Sequence, residues 1–226
     1  MSRASSQEPG VDRALAAIDE ALADAPELRH LSEAARRVLV TAAALFLHNG
    51  AAGTSVRDIT RACGLSPGAL YNHFASKDDL LFALVQHGHG ALERRVAEAL
   101  DAAADSGPRV RTAAFVRGYV LAHLLRPELA QVVRREYLHL TPERCQLIVL
   151  RRRGMRARLA SLLREGAAAG DFNLLDGPHA ATRAAVMVLD MCSRTSEWYD
   201  PTRRGEPPAA VAERYVAGAL RLVGAS

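Results

Sequence analysis

Lysine is nearly missing from this chain: of 29 basic residues only Lys77 is not arginine. So uniform a bias suggests a GC-rich genome, which leaves the position of Lys77 as the chemically informative fact. Aromatic residues are few, with five Phe, five Tyr and one Trp making 5% of the sequence. Ala, Leu and Val are plentiful and no segment alternates as a strand does, so the composition argues against an all-β sandwich and for helices. The three cysteines, Cys63, Cys145 and Cys192, lie far apart with no C-x-x-C pair. That excludes a disulfide framework and a zinc knuckle, and they read as reduced core residues. No run of about 18 uncharged apolar residues occurs, and residues 1–10 hold no apolar segment, so neither a membrane span nor a secretory signal is expected. The expected location is the cytoplasm.

Catalytic signatures are missing too. There is no G-x-S-x-G, no H-E-x-x-H, no phosphate-binding Gly loop and no dinucleotide fingerprint. His87 and His89 are two apart, so on a helix they diverge by about 200° and make a poor metal pair. No catalytic residue, metal or cofactor is expected.

What the chain does contain is an apolar fraction of 49% beside 24% charged residues over 226 positions. A chain of that size buries on the order of 70% of its unfolded surface. Its net charge of +4 suits a polyanionic partner without requiring one, and it is unevenly spread. Residues 1–31 carry Glu8, Asp12, Asp19, Glu20, Asp24 and Glu27 against Arg3, Arg13 and Arg29, acidic by three charges. Residues 91–226 hold 21 Arg against 15 acids, an excess of six.

In the head of the chain Val11, Leu15, Ile18 and Leu22 recur at helical spacing. They describe either a short amphipathic helix over 11–24 or an unstructured extension, interrupted at Ala25-Pro26. A longer periodic segment over 31–47 puts Ala35, Val38, Leu39, Ala42, Leu45 and Phe46 on one face, and His48-Asn49-Gly50 ends it as a C-cap. Ser55 with Asp58 caps a helix over 56–63, and Gly64-Leu65-Ser66 makes a tight turn. Ser66 caps the next helix with Pro67 at its first position, and Ser76 with Asp79 repeats the arrangement for a helix beginning at Lys77. That helix continues through Gly88 and Gly90, each costing about 1 kcal/mol relative to Ala. A joint between domains, a close helix crossing and a break all remain open there. Further helices are expected near 109–125, 127–139, 142–169, 178–199 and 208–223.

Helix, glycine turn, helix is the pattern of a helix-turn-helix unit. Its second helix enters the major groove while hydroxyls, basic groups and helix N-termini around it hold phosphates. Here that helix spans Pro67 to Phe74. Gly68 and Ala69 allow close approach, and Ala69 can touch a thymine methyl. Tyr71, Asn72 and His73 supply polar reach, while Leu70 and Phe74 face a core with Ile59, Cys63 and Leu65. The plainer alternative is a set of surface residues on a small packed unit.

The run Ala52-Gly53-Thr54-Ser55-Val56-Arg57-Asp58-Ile59, then Ala62-Cys63-Gly64-Leu65-Ser66, then Leu70-Tyr71-Asn72-His73-Phe74-Ala75-Ser76-Lys77 with Leu80-Leu81, resembles the N-terminal DNA-binding domain of TetR-family transcriptional regulators. The resemblance implies an all-α fold, with a three-helix helix-turn-helix domain over 32–80 after an acidic extension over 1–31. A larger helical ligand-binding and dimerisation domain would occupy 81–226. It also implies a homodimer on a palindromic double-stranded DNA operator, acting as a repressor released by a small-molecule inducer. Carried over by position, Thr54 or Ser55 and Arg57 contact the DNA backbone. Tyr71 and His73 contact phosphates or thymine, and Lys77 with the N-terminus of its helix holds a further phosphate. Residues 32–90 are basic by only one charge, five bases against four acids, so such binding depends on placement. The acidic head argues against a minor-groove arm.

In the remainder Phe115, Tyr119 and His123 recur every four residues and put three rings on one helix face, as Val133 and Tyr137 do on the next. Each set is either a core stripe or a pocket wall. The long helix over 142–169 has an apolar stripe of Ile148, Met155, Leu159, Leu162 and Gly166 that includes Arg152 where an aliphatic side chain is expected. Arg151, Arg153, Arg156 and Arg158 crowd the same two turns. Either this is a solvated basic face paired with acids, or Arg152 and neighbours such as Arg156 receive a carboxylate or phosphate.

Arg135-Glu136 through Leu140-Thr141-Pro142-Glu143, Ile148 to Arg153, and Trp198-Tyr199-Asp200-Pro201 resemble the C-terminal domains of TetR-family regulators of fatty-acid, aromatic-acid and sterol-ring degradation, which respond to acyl-CoA thioesters. The resemblance implies a CoA thioester as inducer; a lipophilic drug sensed by a repressor of an efflux gene is the alternative. In the family the last two long helices pair with their copies, which implicates Ala184, Val188 and Tyr215. Trp198 is either an interface anchor or a core residue.

Overall fold

The computed structural model describes residues 9–23, 28–29, 31–175, 177–200 and 205–225. The order is α1 (Pro9–Ala23), α2 (Glu33–Asn49), α3 (Val56–Ala62), α4 (Pro67–Tyr71), α5 (Lys77–Asp101), α6 (Pro108–Leu124), α7 (Pro127–Glu136), α8 (Pro142–Ala168), α9 (Ala180–Ser193), α10 (Thr195–Trp198) and α11 (Pro208–Leu222). The fold is all-α, with no strand among the described residues. No described helix is long and apolar enough to cross a membrane. The chain forms two compact units, Met1–Gly88 with Glu128–Ile148, and His89–Pro127 with Val149–Ser226.

In the first unit α2 is apolar on nearly every side, because it is covered twice. Leu39, Ala42 and Phe46 are buried in a cluster with Ile59, Leu70, Phe74, Leu80 and Leu84. Val11, Ile18 and Leu22 of α1 join the same cluster, and each such side chain stabilises by about 1.5–3 kcal/mol when fully buried. The head of the chain is therefore helical over Pro9–Ala23, and Arg36 of α2 grips Asp19 of α1 through Nε at 3.2 Å and Nη2 at 2.9 Å. Local chemistry sets the helix ends. Ser32 accepts from the Ala35 amide at 3.2 Å, and Gly50 leaves α2 at φ 74°. Ser55 and Asp58 form a full capping box at α3. Gly64, at φ 67°, closes α3 with bonds from Gly64 N to the Arg61 carbonyl and from Leu65 N to the Thr60 carbonyl, a glycine-terminated C-cap. Ser76 caps α5, accepting from the Asp79 amide at 3.0 Å and donating to the Asp79 carboxylate at 2.7 Å.

Ser66 departs from its expectation. It has the extended backbone of an N-cap, but its side chain makes no capping hydrogen bond, so α4 starts on Pro67 at its first position alone. α5 runs unbroken through Gly88 and Gly90. At Gly88 the reason is a close crossing, since a Cβ there would overlap the Val133 side chain of α7.

The second unit has its own core, with Phe115, Val120 and Leu124 of α6, Leu159 and Leu163 of α8, Val188 and Cys192 of α9, and Val216 of α11. Arg111 to Glu165 at 3.0 Å and Arg117 with Glu213 tie α6 to α8 and α11 at the rim. The helix expected over 178–199 is split at Arg194 into α9 and α10.

Candidate functional site

The capped turn between α3 and α4 decides which polar groups reach the surface. Tyr71 is 55% exposed, and Asn72 and His73 are exposed beside it, as are Ser55, Arg57 and Gly68. Ala69 is half-buried. Leu70 and Phe74, three and seven residues after the first, turn inward to the core. α4 is shorter than expected. It ends at Tyr71, Asn72 is its C-cap, and His73 lies in the turn that follows, its amide bonded to the Leu70 carbonyl.

Thr54 is not part of this face. It is 1% exposed and its hydroxyl donates to the Gly50 carbonyl at 2.8 Å, so of the pair Thr54 and Ser55 only Ser55 is at the surface. Ser55 is itself engaged in the capping box, its hydroxyl 2.6 Å from the Asp58 carboxylate. That carboxylate is held below the usual range by its hydrogen bonds from Ser55. Lys77 reaches back across the unit, and its ammonium donates to the Ala51 carbonyl at 2.7 Å and the Thr54 carbonyl at 2.9 Å. A lysine has three donors. Two of them fasten the loop ahead of α3.

In the second unit the aromatic stripe is real. The Phe115 and Tyr119 rings stack with centroids 6.2 Å apart, and Tyr119 and His123 follow at 4.8 Å. Phe115, however, is fully buried and belongs to the core. His123 is 8% exposed, with Nδ1 2.8 Å from the Tyr119 carbonyl. Burial pushes the Tyr119 phenol up, opposed by Arg152. Tyr137 lies elsewhere: it packs against the core of the first unit, because the segment that carries it folds there.

The arginines of α8 divide. Arg151 makes a two-pronged pair with Glu93 of α5, at 2.9 and 2.6 Å. Arg153 and Arg158 are exposed, while Arg152 and Arg156 are half-buried. Arg152 acts electrostatically on both Tyr119 and His89, which the sequence weighed only as a poor metal partner for His87. His89 is 8% exposed, and its Nε2 has no hydrogen-bond partner among the described residues. Burial, then Arg151, Arg152 and His123, push its imidazole down to about 3. Spacing from His87 says nothing about such burial or such neighbours; only the assembly of α5, α6 and α8 supplies them.

The depressed imidazole has a consequence for stability. The unfolded chain protonates His89 near pH 6.5 and the folded one only near pH 3, so stability present above pH 6.5 is lost as pH falls toward 3. From pH 7 to pH 5 the cost is about 2 kcal/mol. Urea unfolding at the two pH values should show this loss in the wild type and a clearly smaller one in His89→Leu. Equal losses in both would remove His89 as the cause.

The four side chains expected at a dimer interface also divide. Ala184 and Val188 are 8% and 1% exposed and pack into the core of their own unit, because that face of α9 turns inward. Trp198 is 56% exposed and its ring meets Tyr199 edge-on, while Tyr215 is half-buried. Met187 and Leu175 are exposed apolar residues of the same unit.

A helical unit with a capped helix-turn-helix and exposed polar groups on its second helix, joined to a second helical unit, defines a helix-turn-helix regulator. The family model for bacterial regulatory proteins of the tetR family matches residues 38–84, and that for the tetracyclin repressor-like C-terminal domain matches residues 90–223. The chain belongs to the TetR family of bacterial regulatory proteins. It is similar to a regulatory protein of that family from Rhodococcus RHA1, at 32% identity and a TM-score of 0.75 over 86% of this chain and 99% of that one. The structure of AibR in complex with isovaleryl coenzyme A and operator DNA matches at 25% identity and a TM-score of 0.69, over 86% of this chain and 100% of that one. The HTH-type transcriptional repressor Rv3405c of Mycobacterium tuberculosis is 32% identical over 108 residues, 45% of this chain. That match spans 57% of the repressor's own length.

Proposed function

We propose that the chain is a cytoplasmic repressor that binds a palindromic operator as a homodimer and leaves it on binding a CoA thioester. Pro67, Gly68, Ala69, Tyr71, Asn72 and His73 form the reading surface, with Ser55, Arg57 and the third donor of Lys77 on phosphates. Two copies of α4 enter successive major grooves about 34 Å apart. Dimerisation uses the second unit, whose exposed Trp198 and Met187 and half-buried Tyr215 supply apolar surface.

The observation that carries the ligand reading is that Arg152 acts electrostatically on both Tyr119 and the buried His89, whose Nε2 has no hydrogen-bond partner among the described residues, while the Tyr119 and His123 rings lie together. A half-buried guanidinium takes a carboxylate or phosphate, the neutral imidazole can donate to or accept from an acyl carbonyl, and the rings cover an acyl group. Arg156, one helical turn on, extends the positive field toward further phosphates. The likeness to AibR, whose structure holds isovaleryl coenzyme A, supports the same class. Positive charge at this end disfavours lipophilic cations, the ligands of the efflux alternative. Titration calorimetry of the full-length protein should give heat with isovaleryl-CoA or longer acyl-CoAs and none with a panel of lipophilic cations. The reverse pattern would establish the drug-sensing alternative.

A further inference from the structure

The loop between α2 and α3 is fastened from two directions, both within the first unit. From α5, Lys77 holds the Ala51 and Thr54 carbonyls. From α7, the Glu136 carboxylate accepts the Ala51 amide at 2.7 Å. Ala51 is thus gripped on its N–H by an acid and on its carbonyl by a base. Glu136 is 6% exposed, and a buried carboxylate is costly unless hydrogen-bonded, so the Ala51 amide stabilises it where it stands. His139 lies 3.8 Å away on the same turn of chain.

The strand of chain that carries Glu136 is unusual in its connections. Glu128–Ile148 belongs to the first unit, whereas the residues before and after it, to Pro127 and from Val149, belong to the second. It is a strap joined at both ends to the second unit. Its far end is fastened as well: Arg144 pairs with Asp78 and Asp79 and lies over the Phe82 ring at 4.9 Å, and the Thr141 amide donates to Asp78 at 3.0 Å. Asp79 is the residue that completes the Ser76 cap of α5. One short segment therefore holds the start of α5 and the loop that leads into the Ser55 cap of α3.

We propose that Glu136 is a positioning residue, through which the 128–148 strap aims α3 and α4 at the operator. The proposal rests on the DNA-binding reading above. Its consequence is a route of control that does not run along α5: a ligand-induced shift at either end of the strap reaches the Ala51 amide through Glu136. Loss of that bond frees the segment that sets where α3 begins.

The test uses the full-length protein and duplexes covering its own promoter, with Glu136→Leu, which fills the same space without an acceptor, and Glu136→Gln, which keeps one. Backbone amide exchange over residues 50–56 should accelerate about tenfold in Glu136→Leu, with α9 and α11 unchanged, and operator Kd should rise about tenfold. Glu136→Gln should fall between wild type and Glu136→Leu. Folded Glu136→Leu that binds the operator within about twofold of wild type would overturn the proposal, because a purely structural acid would lower melting temperature without touching Kd. Should Glu136→Leu fail to fold, Glu136→Gln carries the same comparison. A wild type that binds no duplex would defeat the DNA-binding reading instead, while the exchange comparison, which needs no DNA, would still decide whether Glu136 holds the loop.

Discussion

Tyr71→Ala should lower operator affinity about 100-fold or more while leaving folding and dimerisation intact, since a reading contact is worth roughly 1–3 kcal/mol and occurs twice in a dimer. The tyrosine is 55% exposed at the end of α4, outside the core formed by Leu70 and Phe74. Truncating an exposed side chain away from such features usually changes stability by within about 0.5 kcal/mol. The helix keeps its position because Leu70 and the Gly64 turn set it, not Tyr71. Fluorescence anisotropy with a labelled promoter duplex measures the loss, and sedimentation confirms the oligomeric state. Wild-type affinity in this variant would show that α4 is not the reading helix.

Arg152→Ala should weaken inducer binding by about 30- to 5,000-fold, the 2–5 kcal/mol range for truncating one partner of a buried charge pair, with operator affinity in the absence of inducer unchanged. Arg151 is held by both oxygens of Glu93, so it braces α8 against α5, whereas of the two it is Arg152 that acts on the Tyr119 phenol. Calorimetry with isovaleryl-CoA measures the first quantity and anisotropy the second. An inducer response equal to wild type would remove Arg152 from the site.

How far each of these features was legible follows from how far apart in sequence its causes lie. The caps at Ser55 and Ser76 and the glycine turn at Gly64 were readable because donor and acceptor are within a few residues of each other. Arg57, Tyr71 and His73 were readable as exposed because the inward positions Ile59, Leu70 and Phe74 were. Thr54 was not: its hydroxyl is buried by the path of the loop back to Gly50, which no local pattern specifies. Val188 illustrates the same limit on a helix, since periodicity identifies an apolar face but not whether a partner chain or its own unit covers it. Tyr137 shares helical spacing with a neighbour, as Phe115 does, yet the two belong to different units. His89 and Glu136 acquire meaning only from groups more than 30 and 80 positions away, respectively His123 with Arg152 and Ala51.

By itself the amino-acid order determined that the chain is helical, the caps at Ser55 and Ser76, the Gly64 turn and which residues of α4 face outward, since these depend on periodicity and on hydrogen bonds between near neighbours. Tertiary packing alone decided that α7 and the start of α8 join the helix-turn-helix unit and that burial, with Arg151 and Arg152, pushes the His89 imidazole down. Burial and long-range charge are properties of what surrounds a residue, and those surroundings exist only once distant helices have met.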